Sequence, residues 1–330
     1  MRNLPISLPN SLPNSLPSRS AILLVGGRGT RLAPLTNNTP KPMLQVAGVP
    51  FTEHQIRKAR EAGISEIVLA TSFKAELFEP YFGDGANFGI SIKYAVEEVA
   101  LGTGGAISNA AQFLSGTGPI AIFNGDVISG HDLVGQFNFH EAKSADVTLF
   151  LTQVEDARAF GAVELDGSGR VSAFNEKMEN PPTNIVNAGC YIFNREIIEK
   201  IPFGKVVSVE RETFPQLLEA GAKVFGFVDT SYWLDIGTPT ALLKASKDIV
   251  FGMKKDFLAL EGSVIDSGAI VSGGSVIGRK SKIGAEAEIN SCVIGDGAEV
   301  GDGAKLVNCF VAADFKVPGH VIAEGNYFGF

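Results

Sequence analysis

Over residues 21–250, the pattern of hydrophobic and polar positions predicts strands that alternate with helices. Short apolar runs with the length and branching of buried strands occur at Ala21–Val25, Glu66–Thr71 and Pro119–Phe123. Helices are predicted over Pro50–Ala62 and Gly104–Leu114. This alternation is typical of an α/β fold with a mostly parallel sheet, in which ligands gather beyond the carboxyl ends of the strands. Residues that directly follow the strands are therefore the first candidates for a site.

After about residue 251, the pattern changes to a period of six residues. Apolar residues recur in three phases separated by five-residue steps: Ile265, Val271, Ile277, Ile283 and Ile289, then Ile294, Val300 and Leu306, then Val311 and Val317. Small residues and glycine fill the positions between them. A hexapeptide period predicts a parallel β-helix with three short strands in each turn, and the region accounts for roughly three turns.

Length and composition predict two domains and a tail. A chain of 330 residues with 45% apolar content is long enough for one large core and a smaller appendage. We expect the large domain at residues 20–251 and the β-helix at residues 252–330. Residues 1–19 contain SLPN-like repeats, whose prolines obstruct regular structure and predict a flexible tail. We expect no secretory signal and no membrane span, because the chain has no apolar run of the required kind.

Charge and cysteine content restrict the partners of the chain. A net charge of −8 argues against a general nucleic-acid surface, so basic residues are expected to be local and directed at a site. The three cysteines are widely spaced and form no CxxC pair. They are typical of free thiols in a reducing cytoplasm rather than of a disulfide framework or a zinc site. Any metal is therefore expected to be bound by oxygen atoms.

A glycine-rich loop follows the first predicted strand. Its glycines let the turn bring backbone N–H groups against an anion, and Arg28 and Arg31 add positive charge. Further along, Lys41 stands between two prolines, which hold it on a stiff, extended segment. The pattern is neither a P-loop, which needs Gly-Lys-Ser/Thr, nor a GxGxxG dinucleotide fingerprint. The whole segment predicts a polyphosphate site.

The sequence GGRGTRL at Gly26–Leu32, followed by PKP at Pro40–Pro42, resembles the hallmark of the sugar-nucleotide pyrophosphorylases. These nucleotidyltransferases join a nucleoside triphosphate to a sugar 1-phosphate. The resemblance implies a Rossmann-like, mostly parallel catalytic domain followed by a short left-handed parallel β-helix. It assigns Arg31 and Lys41 to catalysis, and it assigns a run of loop residues to the triphosphate: Gly26, Gly27, Arg28, Gly29 and Thr30.

Two aspartates follow apolar runs. Asp126 ends the run IFNGD, and Asp235 lies in YWLDIGTP before a predicted helix. A carboxylate at a strand exit can hold a magnesium ion that also binds substrate phosphates, although aspartate is also common in turns and helix caps. The resemblance implies the magnesium role, because both residues match positions where the family places its metal ligands.

The resemblance also implies a sugar-phosphate site between the two aspartates. Gly161 matches the glycine whose amide meets a sugar hydroxyl, and Glu176 and Asn187 match residues that bind sugar hydroxyls. Lys177 matches the lysine that meets the sugar phosphate, and polar groups of these types suit those partners. The proline that usually follows this Glu-Lys pair in the family is replaced here by Met178.

The nucleobase is expected near the segment EEVALGTGG, which is similar to the family pattern EExxLGT. Backbone at a glycine can approach a base closely and read its edge. We assign Glu98, Gly102 and Thr103 to nucleotide binding on this basis. The same residues also fit a simple lead into the predicted helix that follows.

The implied reaction is an in-line displacement at the α-phosphorus of the nucleotide, with pyrophosphate leaving. Both reactants are anions, so alignment and charge compensation by Arg31, Lys41, Lys177 and magnesium are expected to carry catalysis. Segments after the glycine-rich loop look most like the subgroup that joins GTP to mannose 1-phosphate. Heptose 1-phosphate with GTP, and glucose 1-phosphate with dTTP or UTP, remain alternatives. A non-catalytic sugar-nucleotide sensor is a further alternative, but the intact charged residues argue against it.

The β-helix region carries no constellation of acid, base and metal ligand. Acyltransferases use the same repeat with a catalytic histidine, but His320 stands alone at its end. We therefore expect this region to serve assembly of a homo-oligomer and stability rather than chemistry.

Overall fold

The computed structural model describes residues 19–330. The tail predicted over residues 1–19 lies outside the described residues except for Arg19, which begins the first strand. The strands of the α/β domain are β1 (Arg19–Leu24), β2 (Gln45–Val46), β3 (Val49–Pro50), β4 (Ile64–Thr71), β5 (Ser91–Val96), β6 (Ile120–Asn124), β7 (Val127–Ser129), β8 (Val147–Gln153), β9 (Gly161–Leu165), β10 (Val171–Glu176), β11 (Ile185–Phe193), β12 (Val224–Val228) and β13 (Trp233–Asp235).

Helices lie between these strands. They are α1 (Phe51–Glu61), α2 (Glu79–Phe82), α3 (Gly102–Ala111), α4 (Leu133–Ala142), α5 (Arg195–Ile198), α6 (Phe214–Glu219) and α7 (Pro239–Gly252). The strands and helices predicted from the periodicity are therefore confirmed, with boundaries that differ by a few residues. None of the helices among residues 19–330 is long and apolar enough to cross a membrane.

The main sheet is mixed, and its parallel half carries the glycine-rich loop. Its strands run in the order β10-β9-β11-β6-β1-β4-β5, with β8 beside β11 and β12 beside β8. Strand β1 pairs in parallel with both β4 and β6, and β4 pairs in parallel with β5. Beyond β6, strand β11 is antiparallel to β6, β8 and β9.

Both faces of the central parallel strands β1 and β6 are covered, which explains why these two strands are almost continuously apolar. In β1, Ile22 packs into the cluster on one face, while Ala21 and Leu23 pack into the cluster on the other. All three residues are fully buried. The buried sheet therefore fixes where its strands end, and with them the loops at their carboxyl ends.

The chain after α7 forms three stacked parallel sheets, which confirms the predicted hexapeptide β-helix. Its strands are β14 (Phe257–Ala259), β15 (Val264–Ile265), β16 (Ile270–Ser272), β17 (Ser275–Ile277), β18 (Lys282–Ile283), β19 (Glu288–Asn290), β20 (Val293–Ile294), β21 (Glu299–Val300), β22 (Lys305–Val307), β23 (Phe310–Val311), β24 (Lys316–Val317), β25 (Ile322–Glu324) and β26 (Tyr327–Phe328). Each residue of the hexad stacks on its counterpart in the next coil, as Ile277 does on Ile294 and Ile294 on Val311.

The β-helix is longer than the three turns predicted, because the three sheets contain five, four and four strands. The first strand places Ala259 in register with Ile277, and the last places Phe328 in register with Val311. Ala323 similarly continues the row below Leu306. Alanine is too weakly apolar to stand out as a hexad position, so the periodicity misses the outer coils.

The β-helix packs directly on the α/β domain. One hydrophobic cluster contains Leu44 and Phe51 from the segment after the glycine-rich loop, Ile236 beside Asp235, and Val276 and Phe310 from the β-helix. The Arg279 guanidinium also donates a hydrogen bond across the boundary, from Nη1 to the Gly48 carbonyl at 3.3 Å. The two units therefore share a core.

Candidate active site

The carboxyl ends of β1, β4 and β6 lie side by side and open into a cavity of about 310 Å³. The three exits are tied together: Gly125 N donates to Leu24 O at 3.0 Å, and Ser72 Oγ donates to Gly26 O at 2.7 Å. A Cβ atom at Gly125 would lie 2.2 Å from Leu24 O, so this approach requires glycine. The parallel sheet thus gathers the loops that the sequence singled out.

Six of the predicted site residues line this cavity: Gly26, Gly27, Lys41, Gly102, Thr103 and Asp126. The remaining predicted residues lie outside its lining: Arg28, Gly29, Thr30, Arg31, Glu98, Gly161, Glu176, Lys177, Asn187 and Asp235. Several of these surround one edge of the cavity, where the two aspartates are found.

Lys41 and Asp126 form an ion pair at that edge. Lys41 Nζ lies 3.0 Å from Asp126 Oδ2, and the lysine side chain is 11% exposed while the aspartate side chain is 37% exposed. Lys41 begins a short 3-10 turn, so the extended segment predicted for it is wrong except at Pro40. The hydrogen bond from Met43 N to Pro40 O at 2.8 Å closes this turn, although proline follows Lys41. The ammonium group retains donors for a phosphate oxygen while it holds the carboxylate.

Asp235 joins Asp126 through a small antiparallel ribbon. Strand β13 pairs with β7, which places Asp235 opposite Val127, and Ile236 N donates to Asp126 O at 2.8 Å. Burial raises the pKa of Asp235, the charge of Asp126 raises it further, and the cations Lys41, Arg31 and Lys177 lower it. These charged residues, far apart in the sequence, are therefore electrostatic neighbours.

Arg31 lies next to Asp235 across a glycine. A Cβ atom at Gly237 would lie 3.0 Å from Asp235 Oδ2 and 3.2 Å from both terminal nitrogens of Arg31. The absence of a side chain at this position leaves room for both groups. The structure therefore brings together all four residues that the sequence predicted as catalytic: Arg31, Lys41, Asp126 and Asp235.

The two aspartates suit a magnesium ion in their chemistry. Within residues 19–330, no group of three or more His, Cys, Asp or Glu side chains is arranged to hold a metal, so the protein supplies two carboxylates here. Magnesium is commonly held by one or two carboxylates, with waters and substrate phosphates as its other ligands. Burial is the main cause of the raised pKa of Asp235, and the charge of Asp126 adds a repulsion that a divalent cation would relieve.

The predicted sugar residues lie on the antiparallel half of the sheet. Glu176 pairs with Gly161 between β10 and β9, and a Cβ atom at Gly161 would lie 2.9 Å from Glu176 Oε2. Lys177 follows with a φ of 50°, and its Nζ lies 3.4 Å from Glu176 Oε1. Asn187 Nδ2 donates to the Tyr191 hydroxyl at 2.8 Å. These residues thus form a polar surface on neighbouring strands.

The segment predicted to meet the base forms the start of α3. Gly102 has a φ of 70°, and a Cβ atom there would lie 2.6 Å from Val207 O, so both conformation and space require glycine. Thr103 Oγ1 donates to Glu210 Oε2 at 2.8 Å and accepts from Val209 N at the same distance. The helix start is therefore anchored to the segment before α6.

The cavity is lined by Glu97, the neighbour of the predicted Glu98, and the assignment of Glu98 to nucleotide binding stays a prediction. Glu97 lines the cavity and its Oε2 accepts from Leu101 N at 3.1 Å, whereas Glu98 is exposed and outside the lining. The choice depends on how the loop after β5 closes onto Leu101, which has no periodic signal. Sequence reasoning also missed Ser72 and Asn124, which line the cavity after β4 and at the end of β6.

Comparison with protein families matches residues 20–250 to the nucleotidyl transferase family. Residues 245–325 match the GlmU-like C-terminal hexapeptide family. The two matches together cover the α/β domain and most of the β-helix, and they meet within α7.

Among curated relatives, a mannose-1-phosphate guanylyltransferase of Mycobacterium tuberculosis is 52% identical over 234 residues, which is 71% of this chain and 65% of that protein. The mannose-1-phosphate guanylyltransferase catalytic subunit beta of Drosophila pseudoobscura pseudoobscura is 35% identical over 235 residues, covering 71% of this chain and 61% of that protein. The match therefore spans slightly less than two thirds of the length of either relative.

Among solved structures, HddC from Yersinia pseudotuberculosis complexed with GMP-PN aligns with a TM-score of 0.60 at 28% identity. The alignment covers 70% of this chain and 99% of HddC. The aligned share of this chain is similar in size to the part that matches the nucleotidyl transferase family.

Proposed function

Because the chain belongs to the nucleotidyl transferase family, we propose that it joins GTP to mannose 1-phosphate and forms GDP-mannose and pyrophosphate. The observation that carries the proposal is the Lys41–Asp126 pair at the edge of the cavity, with Asp235 and Arg31 beside it. The choice of GTP and mannose 1-phosphate follows the names of the relatives.

The reaction needs an alignment of two anions rather than a covalent nucleophile. Backbone at Gly26 and Gly27 would meet the triphosphate, and the base would lie toward Gly102 and Thr103, which also line the cavity. Attack by a phosphate oxygen of the sugar 1-phosphate at the α-phosphorus forms the new P–O bond and breaks the bond to pyrophosphate. No protein group has to accept a proton or a phosphoryl group in this step.

Charge compensation is the main task of the side chains. Lys41 and Arg31 would stabilise negative charge that develops on the α-phosphate under attack and on the leaving pyrophosphate. Lys177 would bind the phosphate of the sugar, since it lies near enough to Asp235 to influence the pKa of that carboxyl. Glu176, Asn187 and the Gly161 amide would orient the sugar through directional hydrogen bonds.

We propose magnesium as the cofactor, held by Asp126 and Asp235. A bound magnesium ion would neutralise phosphate charge and orient the triphosphate for displacement. Asp126 is already oriented by Lys41, and Asp235 by the β7–β13 ribbon, so both carboxylates are in place before the substrate arrives.

The homo-oligomer and the cytoplasmic location predicted from the sequence belong to the same proposal. The last coil of the β-helix supports an assembly role, because Ile322 is 80% exposed and Tyr327 and Phe330 are exposed near it. Exposed apolar side chains of this kind favour a covering partner.

A pyrophosphate-release assay with a panel of substrates tests the function. GTP, dTTP, UTP and ATP are each combined with mannose, glucose and heptose 1-phosphates. We expect the highest kcat/KM with GTP and mannose 1-phosphate. A higher value for another pair would reassign the substrate, and binding of GDP-mannose without any pyrophosphate release would indicate the non-catalytic sensor.

A further inference from the structure

Helix α1 donates side-chain hydrogen bonds to two backbone segments that border the predicted catalytic residues. Thr52 Oγ1 donates to Pro42 O at 2.9 Å. Gln55 Nε2 donates to Asn124 O at 2.7 Å and to Val127 O at 3.2 Å. Residues three apart lie on the same face of a helix, so both side chains point from one face of α1. Thr52 is 0% exposed and Gln55 is 5% exposed.

Gln55 holds the backbone on both sides of Asp126. The accepting carbonyls belong to Asn124 and Val127, so the amide spans the turn that presents the Asp126 carboxylate. A primary amide has two N–H groups, and each has one carbonyl partner here. Thr52 holds the carbonyl of the residue directly after Lys41 in the same way.

We propose that Thr52 and Gln55 are positioning residues that set the distance between Lys41 and Asp126. The inference rests on the proposed function, for which that pair is the central feature. Lys41 and Asp126 lie on two separate loops, and one rigid helix face fastens both of them. Groups built on a helix are held more precisely than groups that rely on loops alone.

The next turn of α1 extends the same pattern toward Asp235. Lys58 Nζ donates to Ser129 O at 3.0 Å and to His131 O at 2.7 Å. Ser129 ends β7, the strand that pairs with β13 and so positions Asp235. Helix α1 therefore contacts the backbone that supports Asp126 and the backbone that supports Asp235.

The size of the expected effect follows from the geometry of a preorganised site. A misplacement of about 1 Å at such a site can cost about 10²-fold in rate. Loss of the Gln55 amide removes its hydrogen bonds to the Asn124 and Val127 carbonyls and frees the turn to move. We therefore expect kcat to fall by tenfold or more, while GTP, which contacts neither side chain in this proposal, binds with little change.

The experiment compares Gln55→Leu with Gln136→Leu in the full chain. Gln136 serves as the control, because it is fully buried on α4 and its Nε2 donates to Thr148 O at 3.3 Å and Cys190 O at 3.5 Å. Its Oε1 also bonds the ring of His131 at 3.2 Å, so its loss removes more hydrogen bonds than the loss of Gln55. For each variant we would measure kcat and KM for both substrates, the unfolding midpoint, and GTP binding by calorimetry with magnesium and without sugar phosphate.

We expect Gln55→Leu to lower kcat at least tenfold with a GTP affinity within about threefold of the wild type. Gln136→Leu should lose at least as much stability and keep its kcat. Equal kcat values for the two variants, with an active wild type, would overturn the positioning role alone. A wild type without turnover on any substrate pair would overturn the proposed function and this inference together.

Thr52→Val and Thr52→Ser decide the matter independently, including in the case that Gln55→Leu does not fold. Thr52→Val keeps the shape of the side chain and removes the hydrogen bond to Pro42 O. It should lower kcat, and Thr52→Ser, which restores a hydroxyl, should recover most of the loss. A Thr52→Ser variant that is no more active than Thr52→Val would overturn the inference, because a role in packing alone predicts the larger loss for serine.

Discussion

Lys41 Nζ and Asp126 Oδ2 lie 3.0 Å apart, although 85 residues separate them in the sequence. The pair closes one edge of the cavity and is only partly exposed, so water screens it less than a surface ion pair. An incoming triphosphate would find a cation already fixed in position, with a carboxylate beside it that is able to bind magnesium. In the proposed mechanism, the pair would thus link the phosphate end of the cavity to the proposed metal ligands.

Replacing Lys41 or Arg31 with methionine should lower kcat by about 10² or more, a loss of about 3 kcal/mol in transition-state stabilisation. The reason is the removal of a preorganised cation where negative charge develops. Pyrophosphate release measures the change, and Lys244→Met, on the exposed side of α7 where Lys244 pairs with Asp248, serves as control. An increase in KM alone would show that the cation binds ground state and transition state alike.

Asp126→Asn and Asp235→Asn should each abolish turnover at saturating magnesium, because one negative ligand of the proposed metal site is lost. Circular dichroism and the unfolding midpoint should show intact folds. Asp248→Asn is a suitable control, since Asp248 lies on α7 and accepts hydrogen bonds from Tyr232 and Lys244. Nearly normal activity of either site variant would remove that aspartate from the metal site.

The gathering of Gly26, Lys41 and Asp126 could be predicted from the sequence because strand ends in a parallel sheet share one edge. The two prolines around Lys41 were also a signal that can be read from neighbouring residues in the sequence. Gln55 gave none, because its partners are backbone carbonyls 69 and 72 residues away and its position fits an ordinary amphipathic helix. Similarly, the choice of Glu97 over Glu98 depends on one loop contact rather than on any period.

Glu176→Gln and Lys177→Met should raise KM for mannose 1-phosphate and leave KM for GTP nearly unchanged. Both residues lie where β10 ends, outside the lining of the cavity proposed for the nucleotide. Initial rates with each substrate varied in turn measure both constants. Glu164→Gln, on the neighbouring strand β9, provides a control on the same part of the sheet. A rise in KM for GTP alone would contradict the assignment.

The stability of the protein should depend on pH through Lys58. Burial lowers the pKa of Lys58 to about 8 from 10.5. Between those two values the unfolded chain holds more protons at this position than the folded protein, so this group makes the free energy of unfolding rise with pH. In urea unfolding, the free energy of unfolding of the wild type should therefore rise relative to that of Lys58→Met as the pH rises through this window. A difference that stays constant with pH would contradict the prediction.

The β-helix was expected to serve assembly and stability, and its contacts connect it to the site as well. The cluster shared by the two units includes Leu44, three residues after Lys41, and Ile236, next to Asp235. Ending the chain near residue 251 would remove Val276 and Phe310 from that cluster and expose its other members. A shortened chain therefore tests the shared core as well as the oligomer, and point substitutions at the boundary give a cleaner experiment.

Gly48→Ala should destabilise the protein more than Gly169→Ala, although the two glycines have almost the same φ, 83° and 84°. The backbone strain of a side chain at positive φ is therefore matched. The difference lies in space: a Cβ atom at Gly48 would be 2.6 Å from Leu260 Cδ1 of the β-helix, whereas nothing lies within 4 Å of one at Gly169. Overpacking of this kind typically costs about 1–3 kcal/mol. Urea unfolding measures the stability of both variants. Because Gly48 joins β2 to β3 directly before α1, we also expect Gly48→Ala to lower kcat and Gly169→Ala to leave it unchanged. Equal stability and equal kcat would show that the packing of the β-helix on this turn does not support the site.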